Sequence, residues 1–408
     1  MYKAMYKAMN KVDFQRSMPS QGLVLSGGGA RAAYQVGCLR QLSRSLPEYH
    51  PQILTGVSAG AINAVHLSAY QGSWQDSVES LNLIWRSLST SQVYETGLTQ
   101  LLKRSMHWGL RLASGGKLGA KDIRGMVDNR PLEQFLKANL AHSDGRVGGI
   151  ADNLQAGVLQ ALAIISTSYA NGRSVAWVES NTDKINMGSQ VSAKPTHIAI
   201  QHIMASAALP LFFPAVSIEG QWHGDGGVRL AAPLSPAMHL GAKRILAVSP
   251  RAQPLQLPKT AANQSYPSPS QVAGVMLNAI FLDLLDYDAI QMERINGLLK
   301  NLPEAHWGTY SPVDVMVLRP QEDLGHVARD HEIELPKAFR FFKGGFAGKN
   351  EPSGDALSMV NFEPEYIGRL IDLGEQDTAE RMDEITAFLR GSSEFVSAAG
   401  ESGLYQPE

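Results

Sequence analysis

A chain of 408 residues with 44% hydrophobic content is long enough to bury one large core or two modest ones. Its 36 basic and 38 acidic residues leave a formal charge of -2, so no strong field favours nucleic acid as a partner. The single cysteine, Cys38, excludes an intrachain disulfide framework and any metal site built from several thiolates.

Residues Met1 to Ser20 open with a direct repeat, MYKA written twice. They lack the run of roughly 7–15 apolar residues that a secretory signal carries. Nowhere does an apolar run approach the roughly 20 residues that span a bilayer. The expectation is a soluble, cytoplasmic protein with a flexible segment over 1–20, although a chain so poor in cysteine would also survive export.

The first strand is predicted at Gly22-Leu23-Val24-Leu25, running into Ser26-Gly27-Gly28-Gly29. A helix follows from about Ala30 to Leu46, with Val36, Leu39 and Leu42 near one face and Pro47 as its stop. A second short strand, Ile53-Leu54-Thr55, leads into Gly56-Val57-Ser58-Ala59-Gly60 and another helix carrying Ile62, Val65 and Ala69. Strand, helix, strand, helix with such short connections predicts a βαβα unit on a parallel sheet.

Residues 72–145 read as mostly helical, with Leu81, Ile84, Trp85 and Leu88 at helical spacing. Extended segments are expected at Ala161–Ile165, Val175–Val178, within Lys243–Ser249 and near Val313–Leu318. Helices are expected over Thr196–Leu209 and Val272–Asn301, with an irregular connection rich in Pro, Gln and Ser over Arg251–Ser270. The tail beyond about Ser392 is expected to be poorly ordered.

Three consecutive glycines between a strand and a helix leave backbone N–H groups unobstructed at the positive end of that helix. Gly27-x-Gly29-x-x-Ala32 formally fits a dinucleotide fingerprint, and it equally suits an oxyanion hole for a tetrahedral acyl intermediate. The second strand separates the two. A ribose-binding acid belongs near that strand's end, but Glu48 precedes the strand, which runs instead into the G-x-S-x-G pattern of a nucleophile elbow. A right-handed crossover carries the ends of both strands to one edge of the sheet, so Gly27–Gly29 and Ser58 are expected side by side. The N–H of Ala59 is a further donor candidate.

A serine nucleophile needs a partner to take its proton. His66, His197, His202, His223 and His239 are candidates for a conventional Ser–His–Asp arrangement, but none stands in an informative setting. Trp222-His223-Gly224-Asp225-Gly226-Gly227 is the stronger local signal, although an aspartate before two glycines also suits a plain Asx-type turn.

In its ordered motifs the chain resembles the patatin-like phospholipases, especially their bacterial members. The marks are Gly27-Gly28-Gly29-Ala30-Arg31, Gly56-Val57-Ser58-Ala59-Gly60 and Asp225-Gly226-Gly227, with Ala205-Ser206-Ala207-Ala208-Leu209-Pro210 and Ala232-Pro233-Leu234-Ser235-Pro236 around the last. The likeness runs from about Gln21 to roughly Asp330. It implies an α/β fold, a three-layer α/β/α sandwich around a central, mostly parallel sheet, and a Ser–Asp dyad. By position Ser58 is the nucleophile, Asp225 the general base, and Gly27, Gly28 and Gly29 the oxyanion loop, with Arg31 beside it as a substrate-contact candidate. Ala32 departs from the glycine that many members carry there.

The expected division of the chain is a flexible segment over 1–20, a catalytic domain over 21–345 with a helical cap-like insertion at about 72–145, and a helical extension and tail over 346–408. The expected activity is hydrolysis of lipid or other carboxylic esters without metal or cofactor. Leu98, Leu101, Leu102 and Met106, interleaved with Lys103, Arg104, His107 and Arg111, form a basic amphipathic stretch that suits a membrane surface, a lid, or plain packing. A catalytically silent lipid- or nucleotide-binding module on the same fold stands as the reading from another class.

Overall fold

The computed structural model describes residues 20–95, 125–140, 145–182, 185–252, 269–281, 283–330 and 355–391, with a few positions between 106 and 115. The flexible segment predicted over 1–20 lies outside these residues except for Ser20, as do most of the 98–112 stretch and the tail beyond Gly391.

The first half of the chain runs β1 (Gln21–Leu25), a 3₁₀ turn (Gly29–Ala32), α1 (Ala33–Ser45), β2 (Ile53–Val57), α2 (Ala59–Ala69), α3 (Trp74–Ser87), α4 (Thr90–Val93), α5 (Arg130–Leu140) and α6 (Ile150–Gln155). Then come β3 (Ala161–Ser168), β4 (Ser174–Ser180), β5 (Val191–Pro195), α7 (Ile200–Ser206), β6 (Val216–Ile218), β7 (Gln221–Asp225), α8 (Ser235–His239) and β8 (Arg244–Val248). The last part holds α9 (Pro269–Phe281), α10 (Asp283–Lys300), β9 (Asp314–Leu318), α11 (Leu324–Asp330), α12 (Asp355–Val360), α13 (Pro364–Glu380) and α14 (Met382–Arg390).

One mixed sheet runs β5-β4-β3-β2-β1-β8-β9, with β6 and β7 joined to it through β3. The pairs among β3, β2, β1, β8 and β9 are parallel, whereas β4 is antiparallel to β3. Strands β1, β2 and β8 are short and buried on both faces, which is why they read as continuous apolar runs. Alternation divides their side chains between two layers. Leu23, Leu25, Leu54 and Leu162 join α1, α2, α3 and α13 in the main core, while Val24, Ile53 and Ile245 pack with Leu285 and Met292 of α10 on the other side. Helices on both faces of the sheet make a three-layer α/β/α sandwich.

Two details of β3 position the site. Its first half, Ala161–Ile165, pairs with β2 and ends opposite Val57. It then runs on beyond β2, and Ser166–Ser168 pair antiparallel with β7, with Ser166 opposite Asp225. Strands β2 and β7 therefore approach end to end along one neighbour, and Ser58 follows the first where Asp225 closes the second.

Several boundaries differ from the sequence expectations. The helix expected over Thr196–Leu209 is confined to Ile200–Ser206, because Ala199 is held extended by a bridge to Arg146. The helix expected over Val272–Asn301 is described over Pro269–Phe281 and Asp283–Lys300, and Leu282 between them lies outside the described residues. The amphipathic stretch contributes only Met106, His107 and Leu110 to the description, with Met106 and Leu110 exposed. Among the described residues, no helix is long and apolar enough to cross a membrane.

Candidate active site

Ser58 sits between β2 and α2 with φ 56° and ψ -130°, a left-handed conformation that costs a non-glycine residue about 1–3 kcal/mol. The elements around the turn hold it there. A Cβ on Gly56 would meet the backbone of Ala61 2.7 Å away, and one on Gly60 would overlap the Leu25 carbonyl at the end of β1. The two glycines of the pentapeptide thus let strand, turn and helix pack without side chains between them.

The Ser58 amide donates to Ser206 Oγ at 3.0 Å, and the Ser206 hydroxyl donates to the Ile165 carbonyl at 2.6 Å. Both serines are buried. A hydroxyl bridge from α7 to β3 therefore satisfies a donor at the helix start that would otherwise be orphaned. Sequence reasoning assigns Ser206 no role. Its signals in the sequence are a lone hydroxyl within an apolar helical run and a place in the 205–210 stretch that shares the family resemblance.

The glycine loop lies against the elbow. A Cβ on Gly27 would come 3.1 Å from Ser58 Cβ and 3.8 Å from Ser58 Oγ. Gly28 has φ 151° and Gly29 φ 58°, and a Cβ on Gly28 would stand 2.7 Å from Pro250. Within the described residues, the amides of Gly28, Gly29 and Ala59 donate to no acceptor. Backbone N–H groups are seldom left unpaired, so these three remain available as donors to a ligand.

Asp225 ends β7 with no exposed surface. Its amide donates to Ala208 O at 2.9 Å, and its own carbonyl accepts the Thr167 hydroxyl at 2.8 Å. The carboxylate is divided between two tasks. Oδ1 accepts the Gly227 N–H at 2.9 Å, the Asx-type cap that the sequence allowed, whereas Oδ2 is buried without a hydrogen-bond partner. Gly226 explains how the strand end comes so close to the elbow: a Cβ there would overlap the Ile165 carbonyl and stand 2.8 Å from Val57 Cγ2.

Burial pushes the Asp225 carboxyl up to about 7, against the opposing pull of the Ser58 hydroxyl and the Gly227 amide. The hydroxyl is thus near enough to favour the carboxylate, although no Ser58–Asp225 contact reaches hydrogen-bond geometry. No histidine among the described residues lines the cleft. His66 is buried with its ring against Tyr70, and burial lowers its pKa to about 4. His223 bonds Ser166 Oγ at 3.1 Å and His202 packs on Trp177, while His197 meets Glu179 at 3.0 Å. His239 is exposed and hydrogen-bonds the Ser235 carbonyl within α8. Arg31 is not among the residues that line the cleft: its Nε donates to Ser358 Oγ at 2.6 Å, and the residue is buried.

Ser58, Ala59, Gly28 and Gly29 line the floor of a cleft of about 780 Å³, its open mouth included. All its other walls are apolar, among them Ile62, Trp85, Phe135, Leu136, Phe213 and Phe362. An apolar cleft with convergent polar groups at one end suits a ligand with a hydrocarbon part and one reacting polar group.

Among solved structures, the chain overlays VipD from Legionella pneumophila at 14% identity, covering 90% of this chain and 67% of that one with a TM-score of 0.38. The human GIVD cytosolic phospholipase A2 matches at 14% identity over 91% of this chain and 60% of that one, with a TM-score of 0.45. The chain therefore spans about three fifths of the human enzyme's length. A comparison with curated proteins gives no significant match. The model of the patatin-like phospholipase family matches residues 23–238, more than half of the chain, from β1 through the glycine loop and elbow to the aspartate and α8. The chain belongs to that family.

Proposed function

We propose that the protein hydrolyses lipid acyl esters through an acyl-enzyme on Ser58, with Asp225 as its base and the Gly27–Gly29 loop and Ala59 as its oxyanion cradle. One observation carries the reading. The Oδ2 of the fully buried Asp225 has no hydrogen-bond partner, the Ser58 hydroxyl is close enough to favour that carboxylate, and Ser58 itself lines a cleft whose other walls are apolar.

As Ser58 Oγ attacks the ester carbon, its proton passes to Asp225 Oδ2 and the carbonyl electrons move to oxygen. The amides of Gly28, Gly29 and Ala59 stabilise that oxygen, each well-aimed donor lowering the barrier by about 2.7–4 kcal/mol. Asp225 then gives the proton to the leaving alkoxide, which departs as the alcohol and leaves the acyl group on Oγ. Water attacks this ester next, giving a proton to Asp225. When the tetrahedral species collapses, the carboxylic acid leaves and Ser58 regains its proton.

A fully hydrated aspartate, which titrates at about 3.9, is a weak base for an alcohol. A dry setting narrows that mismatch by raising its proton affinity, and the strained serine is held ready for attack.

Hydrolysis of a panel of p-nitrophenyl esters and phospholipids by the wild type, Ser58→Ala and Asp225→Asn tests this. Activity in the wild type alone supports the dyad. Full activity in Asp225→Asn, or a loss as deep as that of Ser58→Ala caused by replacing one histidine, contradicts it.

A further inference from the structure

Part of the cleft wall comes from outside the residues that the family model matches. Met359 and Val360 at the end of α12, and Phe362 just beyond it, line the cleft together with Ser58. This segment is pinned from two sides. On the glycine-loop side, Arg31 Nε donates to Ser358 Oγ at 2.6 Å, and Gly29 abuts the Met359 carbonyl so closely that a Cβ would overlap it. On the helical side, the Tyr94 hydroxyl donates to the Val360 carbonyl at 2.6 Å and the Phe362 amide to Thr90 Oγ1 at 3.3 Å.

Phe362 stacks on Trp85, with ring centroids 6.5 Å apart and planes 26° apart, and meets Tyr94 edge-on at 6.4 Å. Trp85 is in turn fixed from behind. Its indole N–H donates to Asn63 Oδ1 at 2.7 Å, the Asn63 amide donates to Gln35 Oε1 at 3.0 Å, and the Gln35 amide donates to the Ser26 carbonyl at 2.7 Å, just before the glycine loop. All four residues are buried. Swinging Trp85 aside would orphan a buried acceptor, so the ring is a rigid wall.

Asn63 lies five residues beyond Ser58 on α2, which places the Trp85 contact roughly 7–8 Å along the helix from the nucleophile at 1.5 Å per residue. Ala59 and Ile62 line the path between them.

We propose that the Trp85–Phe362 pair is the end wall of the acyl subsite. It stops a chain that runs from Ser58 along α2, and so selects short and medium acyl groups over long ones. The inference rests on Ser58 being the nucleophile. Phe362 is the specificity-determining residue that the segment after α12 brings to the site.

The test compares kcat/KM for p-nitrophenyl butyrate, octanoate and palmitate in the full chain, with Ser58→Ala as the blank. The wild type should favour butyrate or octanoate over palmitate. Phe362→Leu shortens the wall and should raise the palmitate-to-butyrate ratio about tenfold, the lower end of what one methylene changes in an apolar pocket. Ile62→Phe, nearer the nucleophile, should lower the octanoate-to-butyrate ratio by a similar factor. Because Ile62 is only half-buried, this second variant keeps a folded readout even if Phe362→Leu fails to fold. Unchanged ratios in a folded variant, or a wild type that prefers palmitate, overturn the end wall while leaving the nucleophile in place. A wild type without Ser58-dependent hydrolysis overturns both.

Discussion

At the scale of single residues, the proposed catalysis and stability make opposed demands on Asp225. Burial raises its pKa from 3.8 to about 7, so between those values the unfolded chain has released a proton that the folded chain still holds. Folding stability must then fall as pH rises through that window, by up to about 1.4 kcal/mol per pH unit, and level off above about pH 7. Asp225→Asn should flatten this slope and melt higher than the wild type at pH 8 while losing activity; paired thermal melts at pH 5 and pH 8 read it directly. Ser206 makes the complementary case. Ser206→Ala removes the acceptor of the strained Ser58 amide, leaving a buried N–H unpaired at a cost of about 1–3 kcal/mol. The expected result is a kcat reduced about tenfold to a hundredfold with KM little changed. Ser206→Thr, which keeps the hydroxyl, should recover part of that loss. An equal rise in KM with kcat intact would assign Ser206 to binding instead.

At the scale of elements, what was legible in the sequence is what depends on a few adjacent residues. The apolar run of β1, the three glycines and the pentapeptide around Ser58 announce a strand, a turn and a second turn through local chemistry alone. Strand β7 was not legible, because Gln221-Trp222-His223-Gly224-Asp225 has little β character and becomes a strand by pairing with β6 and with the overrun of β3. The role of Ser166–Ser168 in bringing the end of β7 to the end of β2 was hidden for the same reason. The packing of α1 on α13 was equally hidden. Gly37 and Gly374 bring the two backbones together, and a Cβ on either would overlap a carbonyl of the other helix. Gly37→Ala should therefore destabilise by about 1–3 kcal/mol through overpacking, although alanine alone is the better helix former. A denaturant titration that finds Gly37→Ala as stable as the wild type would contradict this close crossing.

For the whole molecule, the extension after residue 345 is not bound to the rest by one contact. Tyr366, Ile367, Leu370 and Ile371 are fully buried in the main core, Tyr34 donates to Asp377 Oδ2 at 3.0 Å, and Gln21 and Arg244 both reach the Leu389 carbonyl. Burying four such side chains contributes about 6–12 kcal/mol, comparable to the whole stability of an ordinary domain at about 5–15 kcal/mol. A chain ending at residue 345 should accordingly lose cooperative unfolding as well as the cleft wall, and a truncated protein with a sharp thermal transition would refute that. The central claim concerns chemistry at one place in this frame: Ser58 is activated by Asp225. Its most direct measurement is the rate at which a fluorophosphonate labels Ser58, followed against pH in the wild type and in Asp225→Asn. The account predicts a rate that rises with pH as one group of pKa about 7 loses its proton, and labelling that is slow and without that step in Asp225→Asn. The same step persisting in Asp225→Asn would contradict it.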